Sequence, residues 1–294
     1  MDISVISVTY NSERCIADCV SSVLSQRGVE FEIVVVDNAS TDNTLARVKE
    51  LKCHVITSKE NVGFGRGNNL GFAATSGRYV FLLNPDARLV EADTLANLCR
   101  LMDAHPRWGM AGTGVRFPDG RPESPPATIY PGQRHVRRDF SKLPGKIAWV
   151  LGASMIIRRE LFEKLDGFDP GFFLYSEETD FCLRLREIGF EIGFIPEVVV
   201  EHIGGASEDT RDPYEVSGRK LQGLLRFRQK HYSPDDCLWL AKRDLRRARF
   251  RMILNGLLAR FQPPGSKSWQ KHRLYRAIWE VSRGYLEARK TPQV

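Results

Sequence analysis

Apolar segments typical of strands and amphipathic segments typical of helices alternate along the first half of the chain. Residues Ile3 to Thr9 are mostly apolar and β-branched, and residues 12–26 repeat apolar side chains at the spacing of one helix face. Further strands are predicted at 31–36, 54–57 and 79–83, and further helices at about 41–51 and 66–75. Apolar strands separated by helices imply a parallel sheet covered on both faces. The predicted fold class is therefore α/β, with ligands at the carboxyl ends of the strands.

The pattern changes in the second half. Residues 117–144 are rich in Pro, Gly and Arg without any period, which predicts a long surface loop that substrate could order. A strand is then predicted at 149–157, a helix at 176–188 ended by Gly189, and one or two strands at 191–200. From residue 213 onward we predict long basic helices, broken near 233–234 and again at 263–265.

Composition and charge narrow the class of protein. The 294 residues have 42% hydrophobic and 27% charged side chains, close to ordinary globular usage. The net charge of +7 is uneven, because residues 205–294 hold 20 Lys and Arg against 9 Asp and Glu. The six cysteines form no C-x-x-C pair, no apolar run is long enough for a membrane span, and no secretory leader is visible. We expect a cytoplasmic protein with reduced thiols.

Polar residues follow the first two predicted strands, where a core alone would not require them. These are Thr9, Tyr10 and Asn11 after the first strand, and Asp37 and Asn38 after the second. An aspartate in this position can accept hydrogen bonds from a base or a ribose, and a tyrosine can stack on the base. Helix capping explains part of the second set, but it does not explain Asp37.

A Gly-rich turn opens the helix predicted at 66–75. Its backbone N–H groups and Arg66 could approach a diphosphate, although such turns are weak evidence by themselves. The turn lacks the Lys-Ser/Thr ending of a P-loop, so a Walker ATPase is not supported. The candidate residues in this turn are Asn61, Gly63, Arg66 and Asn68.

Two further places carry side chains suited to a divalent cation. Asn84 and Asp86 follow the strand predicted at 79–83, and His202 follows the last one. A carboxylate at a strand end can hold Mg²⁺ or Mn²⁺, and a neutral imidazole is also a competent metal ligand. The alternatives are an Asn-Pro-Asp turn and a structural histidine, and the sequence leaves both open.

Adjacent acids begin the helix predicted at 176–188. Acids in a first helical turn are favoured by the helix dipole, and Asp180 with Arg184 has the spacing of an ordinary ion pair. Glu177 and Glu178 directly follow an aromatic stretch, which is a less common arrangement. One of the two could be a general base that faces a cleft.

Taken in order, these stretches resemble the inverting family-two glycosyltransferases with the GT-A fold, in particular the rhamnosyltransferase-like branch. The resemblance covers roughly residues 1–210, on the stretches Val5 to Asn11, Ile33 to Thr41, Asn61 to Gly71, Phe81 to Ala87, Gly152 to Arg158, Gly167 to Asp169, Phe172 to Arg184 and His202 to Ser207. It implies an open mixed sheet, with a mainly parallel nucleotide-binding half at 1–115, an acceptor and catalytic half at 145–210, and a basic helical extension at 211–294.

The resemblance also implies roles for single residues. Asp86 would bind the metal with His202 as its partner ligand, and Glu178, beside Glu177, would be the general base. The donor would be held by Thr9, Tyr10, Asn11, Asp37, Asn38, Asn61, Gly63, Arg66, Asn68, Asn84 and Asp86, and the acceptor side would comprise Trp149, Gly152 and Ala153. The chain departs from the family twice, because Asn84 stands where an acid is common and Glu178 replaces the commoner Asp.

The resemblance implies transfer of a sugar from a nucleotide donor to a glycan or polyprenyl-linked acceptor in cell-envelope polysaccharide synthesis. The first donor expected is dTDP-L-rhamnose, with UDP-sugars as the alternative. A catalytically silent nucleotide-sugar or glycan-binding module is a rival of another class. A sugar nucleotidyltransferase is set aside, since it requires a basic Gly-rich loop directly after the first strand.

The basic tail has two interpretations. Helices at about 235–261 and 268–287 interleave Lys and Arg with Trp239, Trp269 and Trp279. Such helices suit the surface of an anionic membrane, where a lipid-linked acceptor would be presented. The alternative is a lid that packs within the molecule. A nucleic-acid partner is not expected, because no known binding module accompanies the charge. Peripheral association with the inner face of the cytoplasmic membrane is therefore one open prediction.

Overall fold

The structure is a computed structural model that describes residues 1–123, 125–204, 213–263 and 265–289. Its strands are β1 Ile3–Thr9, β2 Phe31–Asp37, β3 His54–Thr57, β4 Tyr79–Leu83, β5 Ala87–Leu89, β6 Trp108–Arg116, β7 Ser154–Arg158 and β8 Glu191–His202. Its helices are α1 Ile16–Leu24, α2 Thr44–Lys49, α3 Phe64–Phe72, α4 Thr94–Ala104, α5 Arg159–Lys164, α6 Glu177–Glu187, α7 Pro213–His231, α8 Pro234–Ala259 and α9 Lys267–Ala288.

The chain divides into two compact units. The sheet unit comprises Met1–Tyr130, Ser141–Phe173 and Glu177–Asp209, and the helical unit comprises Pro131–Phe140, Leu174–Ser176 and Thr210–Val294, as far as these ranges are described. The boundary predicted between residues 210 and 211 falls within 205–212, outside the described residues. Gly205 to Ser207, at the end of the last resembling stretch, also lie outside them.

The sheet unit is built on eight strands in the order β3-β2-β1-β4-β7-β6-β8-β5. The first four are mutually parallel, which matches the parallel sheet predicted from the alternation. β7 runs antiparallel to both of its neighbours, and β5 runs antiparallel to β8. The open mixed sheet with a mainly parallel first half, implied by the resemblance, is therefore confirmed, and so is the helical extension.

Both faces of the sheet are buried. All seven residues of β1 are buried, and alternate side chains of the strands enter two separate apolar clusters. One cluster packs Val5 and Phe81 against α1 and α4. The other packs Ile6 and Leu82 against α5 and α6, with Phe168 between them. Burial on both faces explains why the sequences of these strands are nearly continuous apolar runs.

Several predicted boundaries were wrong in detail. The strand predicted from residue 149 begins only at Ser154. Before it, Trp149 makes one isolated bridge to Ala127, 150–151 are irregular and 152–153 form a turn. The helices predicted at 12–26 and 41–51 are shorter, since their first residues lie in turns. The sequence patterns do not predict β5, α4, β6 or α5. Among the described residues of 117–144, one short 3-10 turn is the regular element, as expected of a loop.

The helical unit contains three long helices. The Ser233 hydroxyl caps α8 by accepting a hydrogen bond from the N–H of Asp236, and Ser266 caps α9 in the same way through Trp269. These caps explain the two predicted breaks, where a serine stands just before each helix. In the part of the chain that the structure describes, no helix combines the length and hydropathy required to cross a membrane.

Candidate active site

The carboxyl ends of β1 and β2 bring Thr9 and Asp37 side by side. The two residues are register partners, and the N–H of Asn38 donates to the carbonyl of Thr9 at 2.8 Å. Both side chains are almost fully buried, at 0% and 3% exposure. Thr9 Oγ1 and Asp37 Oδ1 have no hydrogen-bond partner among the described residues. Buried polar atoms without partners are costly, so these two oxygens suit a ligand that completes their hydrogen bonds.

Asn11 holds together the loops after β1 and β2. It adopts a left-handed backbone conformation with φ of 51°, which asparagine tolerates better than most residues. Its Oδ1 accepts from the N–H of Thr41 at 2.8 Å, and its own N–H donates to the Ser40 hydroxyl at 3.0 Å. Tyr10 is half-buried beside it. Asn11 therefore fixes the loop that carries the aromatic ring.

Asn38 connects the end of β2 to the Gly-rich turn. Its Nδ2 donates to Asn61 Oδ1 at 3.0 Å and to the Gly63 carbonyl at 3.2 Å. Its Oδ1 accepts from the N–H of Val62 at 2.9 Å. Asn38 and Asn61 thus position the turn through neutral hydrogen bonds.

The Gly-rich turn lies tightly against a neighbouring loop. Gly63 has φ of 87°, and a Cβ there would lie only 2.0 Å from the carbonyl oxygen of Phe173, so glycine is required. Arg66 is exposed at the start of α3, with its Nε bonded to the Pro170 carbonyl at 2.9 Å. Asn68, in contrast, is 1% exposed and donates to the Phe64 carbonyl within the helix. The structure thus places Arg66 at the surface and Asn68 in the packing of α3.

A charged cluster lies where β5 pairs with the end of β8. Ala87 is the register partner of His202, so Asp86 comes directly beside the imidazole. His202 Nε2 lies 3.2 Å from Asp86 Oδ1 and 3.3 Å from Asn84 Nδ2. On the other side of the ring, Nδ1 lies 2.9 Å from Oε2 of Glu123. Asp86 and His202, 116 positions apart in the sequence, therefore meet in one site.

The two carboxylates control the charge of His202. Burial by itself would lower the pKa of this histidine, but hydrogen bonds to Asp86 and Glu123 outweigh burial and raise the pKa to about 9. Without a bound cation, the imidazolium is the group that balances the two acids.

The donor set fits a divalent cation of the Mg²⁺ or Mn²⁺ type. Asp86 supplies a carboxylate oxygen, and the Nε2 of His202 faces the same space while Nδ1 is held by Glu123, as is usual for metal-binding histidines. Within the described ranges, no group of three or more His, Cys, Asp or Glu side chains is arranged to hold a metal ion. Two protein ligands suffice for a cation that keeps waters and binds substrate phosphates.

The acidic pair at the start of α6 divides into two environments. Tyr175 and Ser176, just before the helix, both have φ of 72°, an unfavourable conformation that is common near functional sites. Glu177 is 3% exposed and packs near Gly65 of α3. Glu178 is half-buried, and its Cγ lies 3.8 Å from where a Cβ on Gly152 would stand. Glu178 is therefore the more accessible of the two acids.

Backbone contacts connect Glu178 to the charged cluster. Ala153, next to Gly152, accepts a hydrogen bond on its carbonyl from the N–H of Asn84 at 2.9 Å. Ala153 is itself buried, whereas Trp149 is half-buried and donates from Nε1 to the Ile129 carbonyl at 3.3 Å. Of the three predicted acceptor-side residues, Gly152 is therefore the one beside Glu178.

Asp180 has a structural contact. It is fully buried and bonds Arg184 at 2.8 Å, the i,i+4 pair expected from the sequence. The same guanidinium donates to the carbonyls of Leu165 and Gly167, both at 2.8 Å. This ion pair ties α6 to the turn after α5 and so fixes the helix that carries Glu178.

The site thus has two neighbouring parts on one edge of the sheet. Thr9 and Asp37 form the first part, and Asp86 with His202 forms the second, with Glu178 next to it through Gly152. Since β1 separates β2 from β4, the strand ends that carry Asp37 and Asn84 are about 10 Å apart. The sequence did not indicate Glu123, which lies in the irregular loop 79 positions from His202.

Comparison with known proteins identifies relatives of this chain. Residues 4–166 match the family model described as glycosyl transferase family 2. An N-acetylglucosaminyl-diphospho-decaprenol L-rhamnosyltransferase of Mycobacterium tuberculosis is 28% identical over 253 residues, covering 71% of this chain and 78% of the relative. The mannosyltransferase PcManGT of Pyrobaculum calidifontis, solved in complex with GDP-Man and Mn²⁺, has a TM-score of 0.61 at 19% identity, covering 97% of this chain and 87% of the other.

Some of the matched proteins are much longer. The chain covers 26% of the length of an uncharacterised Sinorhizobium fredii protein, to which it is 25% identical over 74% of its own length. It covers 43% of Staphylococcus aureus TarS, with a TM-score of 0.57, 23% identity and 87% of this chain aligned. These structural similarities are at the level of the fold.

Proposed function

The chain belongs to glycosyl transferase family 2, and from this membership we propose that it transfers one sugar from a nucleotide-sugar donor to a glycan or polyprenyl-linked acceptor. The proposal depends on one observation, the presence of two kinds of polar group along one edge of the sheet. Buried oxygens of Thr9 and Asp37, which no described residue hydrogen-bonds, suit a base and ribose, and the Asp86–His202 pair suits a cation on a diphosphate.

Thr9, Asp37 and Tyr10 would hold the nucleoside. Asp37 Oδ1 would accept a hydrogen bond from a base N–H or a ribose hydroxyl, and Thr9 Oγ1 would complete its own bonding to the same ligand. The half-buried ring of Tyr10 would pack on the base. The neutral hydrogen bonds of Asn11 and Asn38 support this assignment, because they hold the loops in place before a ligand arrives.

Asp86 and His202 would hold the divalent cation, with Glu123 orienting the imidazole. When bound, the cation would neutralise the charge that develops on the leaving diphosphate. The donor set of this chain supports the assignment, and the Mn²⁺ in the Pyrobaculum neighbour is consistent with it. Asn84 contributes a neutral amide where an acid would add charge, so we expect the cation to depend strongly on the donor phosphates.

Glu178 would be the general base of an inverting reaction. Its carboxylate would take the proton of the acceptor hydroxyl as that oxygen attacks the anomeric carbon from the face opposite the diphosphate. The bond from the anomeric carbon to the diphosphate oxygen breaks, and the nucleoside diphosphate leaves with the electron pair. One displacement inverts the anomeric centre. Glu178 is half-buried beside Gly152 and thus more accessible than the buried Glu177, which supports this choice between the two acids.

We propose dTDP-L-rhamnose as the first donor to test, with UDP-sugars as the alternative. The rhamnosyltransferase relative supports this order, and its name also supports a polyprenyl-linked acceptor. Such an acceptor would be met at the inner face of the cytoplasmic membrane. The basic helices α8 and α9 would favour binding of the protein to that anionic surface.

A donor panel tests the proposal. The full chain would be incubated with a polyprenyl-linked acceptor, with dTDP-L-rhamnose or one of several UDP-sugars, and with Mn²⁺ or Mg²⁺, and release of nucleoside diphosphate would be followed. We expect one donor to be consumed, and NMR of the glycosylated product to show inversion. Binding of nucleotide sugars without any consumption, with or without acceptor, would instead identify a silent binding module.

A further inference from the structure

An apolar stripe is exposed on the second half of α8. Large hydrophobic side chains are normally buried on helices that pack in a helical unit, yet here six of them are between 47% and 89% exposed. They occupy a short stretch at the end of α8 and just after it. We call them the tip face: Phe250, Ile253, Leu254, Leu257, Leu258 and Phe261.

The tip face is directed away from the inside of the α8–α9 hairpin. Ala248 and Asn255 are buried at seven-residue spacing, and next to them Nδ1 of His272 in α9 lies 2.9 Å from the Met252 carbonyl. At 100° per residue, Phe250 and Leu257 lie roughly 160° and 180° around the helix from Ala248. The helical unit therefore does not bury this stripe by its own packing.

The charge around the tip face is of one sign. From residue 245 to residue 279 the sequence contains nine Lys and Arg and no Asp or Glu. Four arginines beside the stripe are exposed, namely Arg246, Arg247, Arg249 and Arg260. An apolar stripe bordered by arginines matches a surface whose headgroups are anionic and whose interior is apolar.

We propose that the tip face inserts into an anionic lipid surface. This inference rests on the proposed function, because the polyprenyl-linked acceptor proposed above lies in such a surface. A second copy of this chain is a poorer occupant, because it would bring the same positive charge to the contact. Nucleic acid would match the arginines but not four aliphatic side chains.

Vesicle binding tests the inference with variants matched in charge. Leu254→Glu and Leu257→Glu each add one negative charge and remove one apolar side chain. Gln262→Glu adds the same charge at an exposed polar position of the same segment. Full-length protein would be sedimented with neutral phosphatidylcholine vesicles and with vesicles that also contain phosphatidylglycerol. Circular dichroism would show that each variant keeps its helices.

We expect wild-type protein to bind the anionic vesicles and to be released by high salt. Each leucine variant should bind them about 50-fold more weakly or worse, because it loses the burial of a leucine in addition to one unit of charge. Gln262→Glu should bind about fivefold more weakly than wild type, as expected for the loss of one unit of charge near an anionic surface. Equal losses in the leucine and glutamine variants would overturn the insertion of the tip face.

Two further readouts separate the possible failures. Donor hydrolysis without vesicles tests the transferase alone, and we expect the leucine variants to retain it. Hydrolysis by a wild-type chain that does not bind vesicles would overturn this inference and leave the proposed function standing. Vesicle binding without donor turnover would support this inference and contradict the proposed function. Analytical ultracentrifugation completes the test, because a wild-type dimer that Leu257→Glu converts to monomer would make a second copy the occupant.

Discussion

The two parts of the candidate site satisfy their polar groups in opposite ways. At the ends of β1 and β2, neutral amides hold the loops in place, and one buried oxygen each of Thr9 and Asp37 has no hydrogen-bond partner in the part of the chain that the structure describes. At the junction of β5 and β8, Asp86 and Glu123 both pair with His202, on opposite sides of its ring. The first part is organised in advance for a ligand, whereas the second must exchange an internal ion pair for a cation. Donor affinity should therefore depend on metal only through the second part.

Glu178 belongs to neither binding part, so its replacement should give the largest effect on turnover. We expect Glu178→Gln to lower kcat by about 10² to 10⁴ and to leave the donor Kd unchanged with Mn²⁺ present. Steady-state kinetics and calorimetry provide the two values. Glu177→Gln is the neighbouring comparison and should lose less. A larger loss of kcat in Glu177→Gln would transfer the role of base to the buried acid.

Loss of a cation ligand should have the second-largest effect, which should be on donor affinity in the presence of Mn²⁺. Asp86→Ala and His202→Ala should each abolish the gain in donor affinity that Mn²⁺ gives the wild-type protein, a loss of about 100-fold or more. The metal-free donor Kd should change little, which is the control within each variant. Calorimetric titration of donor with and without Mn²⁺ measures both. A gain from Mn²⁺ that survives in both variants would remove the cation from this pair.

Substitutions in the nucleoside part should change donor affinity equally with and without Mn²⁺. We expect Asp37→Asn to weaken donor binding roughly 10- to 100-fold, by the same factor with and without Mn²⁺, because a charged hydrogen bond is lost. Thr9→Val should keep or raise the melting temperature of the free protein, since it removes an unpartnered buried hydroxyl. An effect of Asp37→Asn confined to the Mn²⁺ titration would break the division between the two parts.

The smallest effect should come from the carboxylate behind the histidine. Glu123→Gln should weaken Mn²⁺ binding about tenfold, since it loosens the orientation of His202 without removing a ligand. Electron paramagnetic resonance of free Mn²⁺ gives that affinity directly. Asp119→Asn, in the same loop but paired with Arg121, is the matched control and should bind Mn²⁺ like wild type. Equal affinities for all three proteins would make the Glu123 contact purely structural.

The sequence predicted the parallel half of the sheet well for a physical reason. β3 and β4 have the predicted bounds, because β-branched and aromatic runs bordered by polar turns have few alternatives. β6 was not predicted, since its Trp-Gly-Met-Ala-Gly-Thr-Gly run contains three glycines and a single β-branched side chain. Its Gly112 is explained only in three dimensions, where a Cβ would lie 2.7 Å from Val150.

In the candidate site, the sequence predicted those residues that stand at or near the ends of strands. Asp37 is the last residue of one apolar strand and Asp86 comes three residues after the end of another, so their residue types were visible in the sequence. Glu123 lies in a loop without periodicity, and its contact with His202 depends on tertiary folding. The different environments of Glu177 and Glu178 also required the packing of α3 and Gly152 against α6. The residue roles in the site remain predictions.

We propose that the nucleotide and the cation occupy the two parts together, with Glu178 beside them. A crystal structure with Mn²⁺ and dTDP or UDP, with manganese located by its anomalous scattering, tests this arrangement. We expect one strong anomalous peak in contact with Asp86 and His202, diphosphate oxygens on the same ion, and the nucleoside against Asp37. A manganese peak elsewhere, or a nucleotide bound away from Asp37, would contradict it.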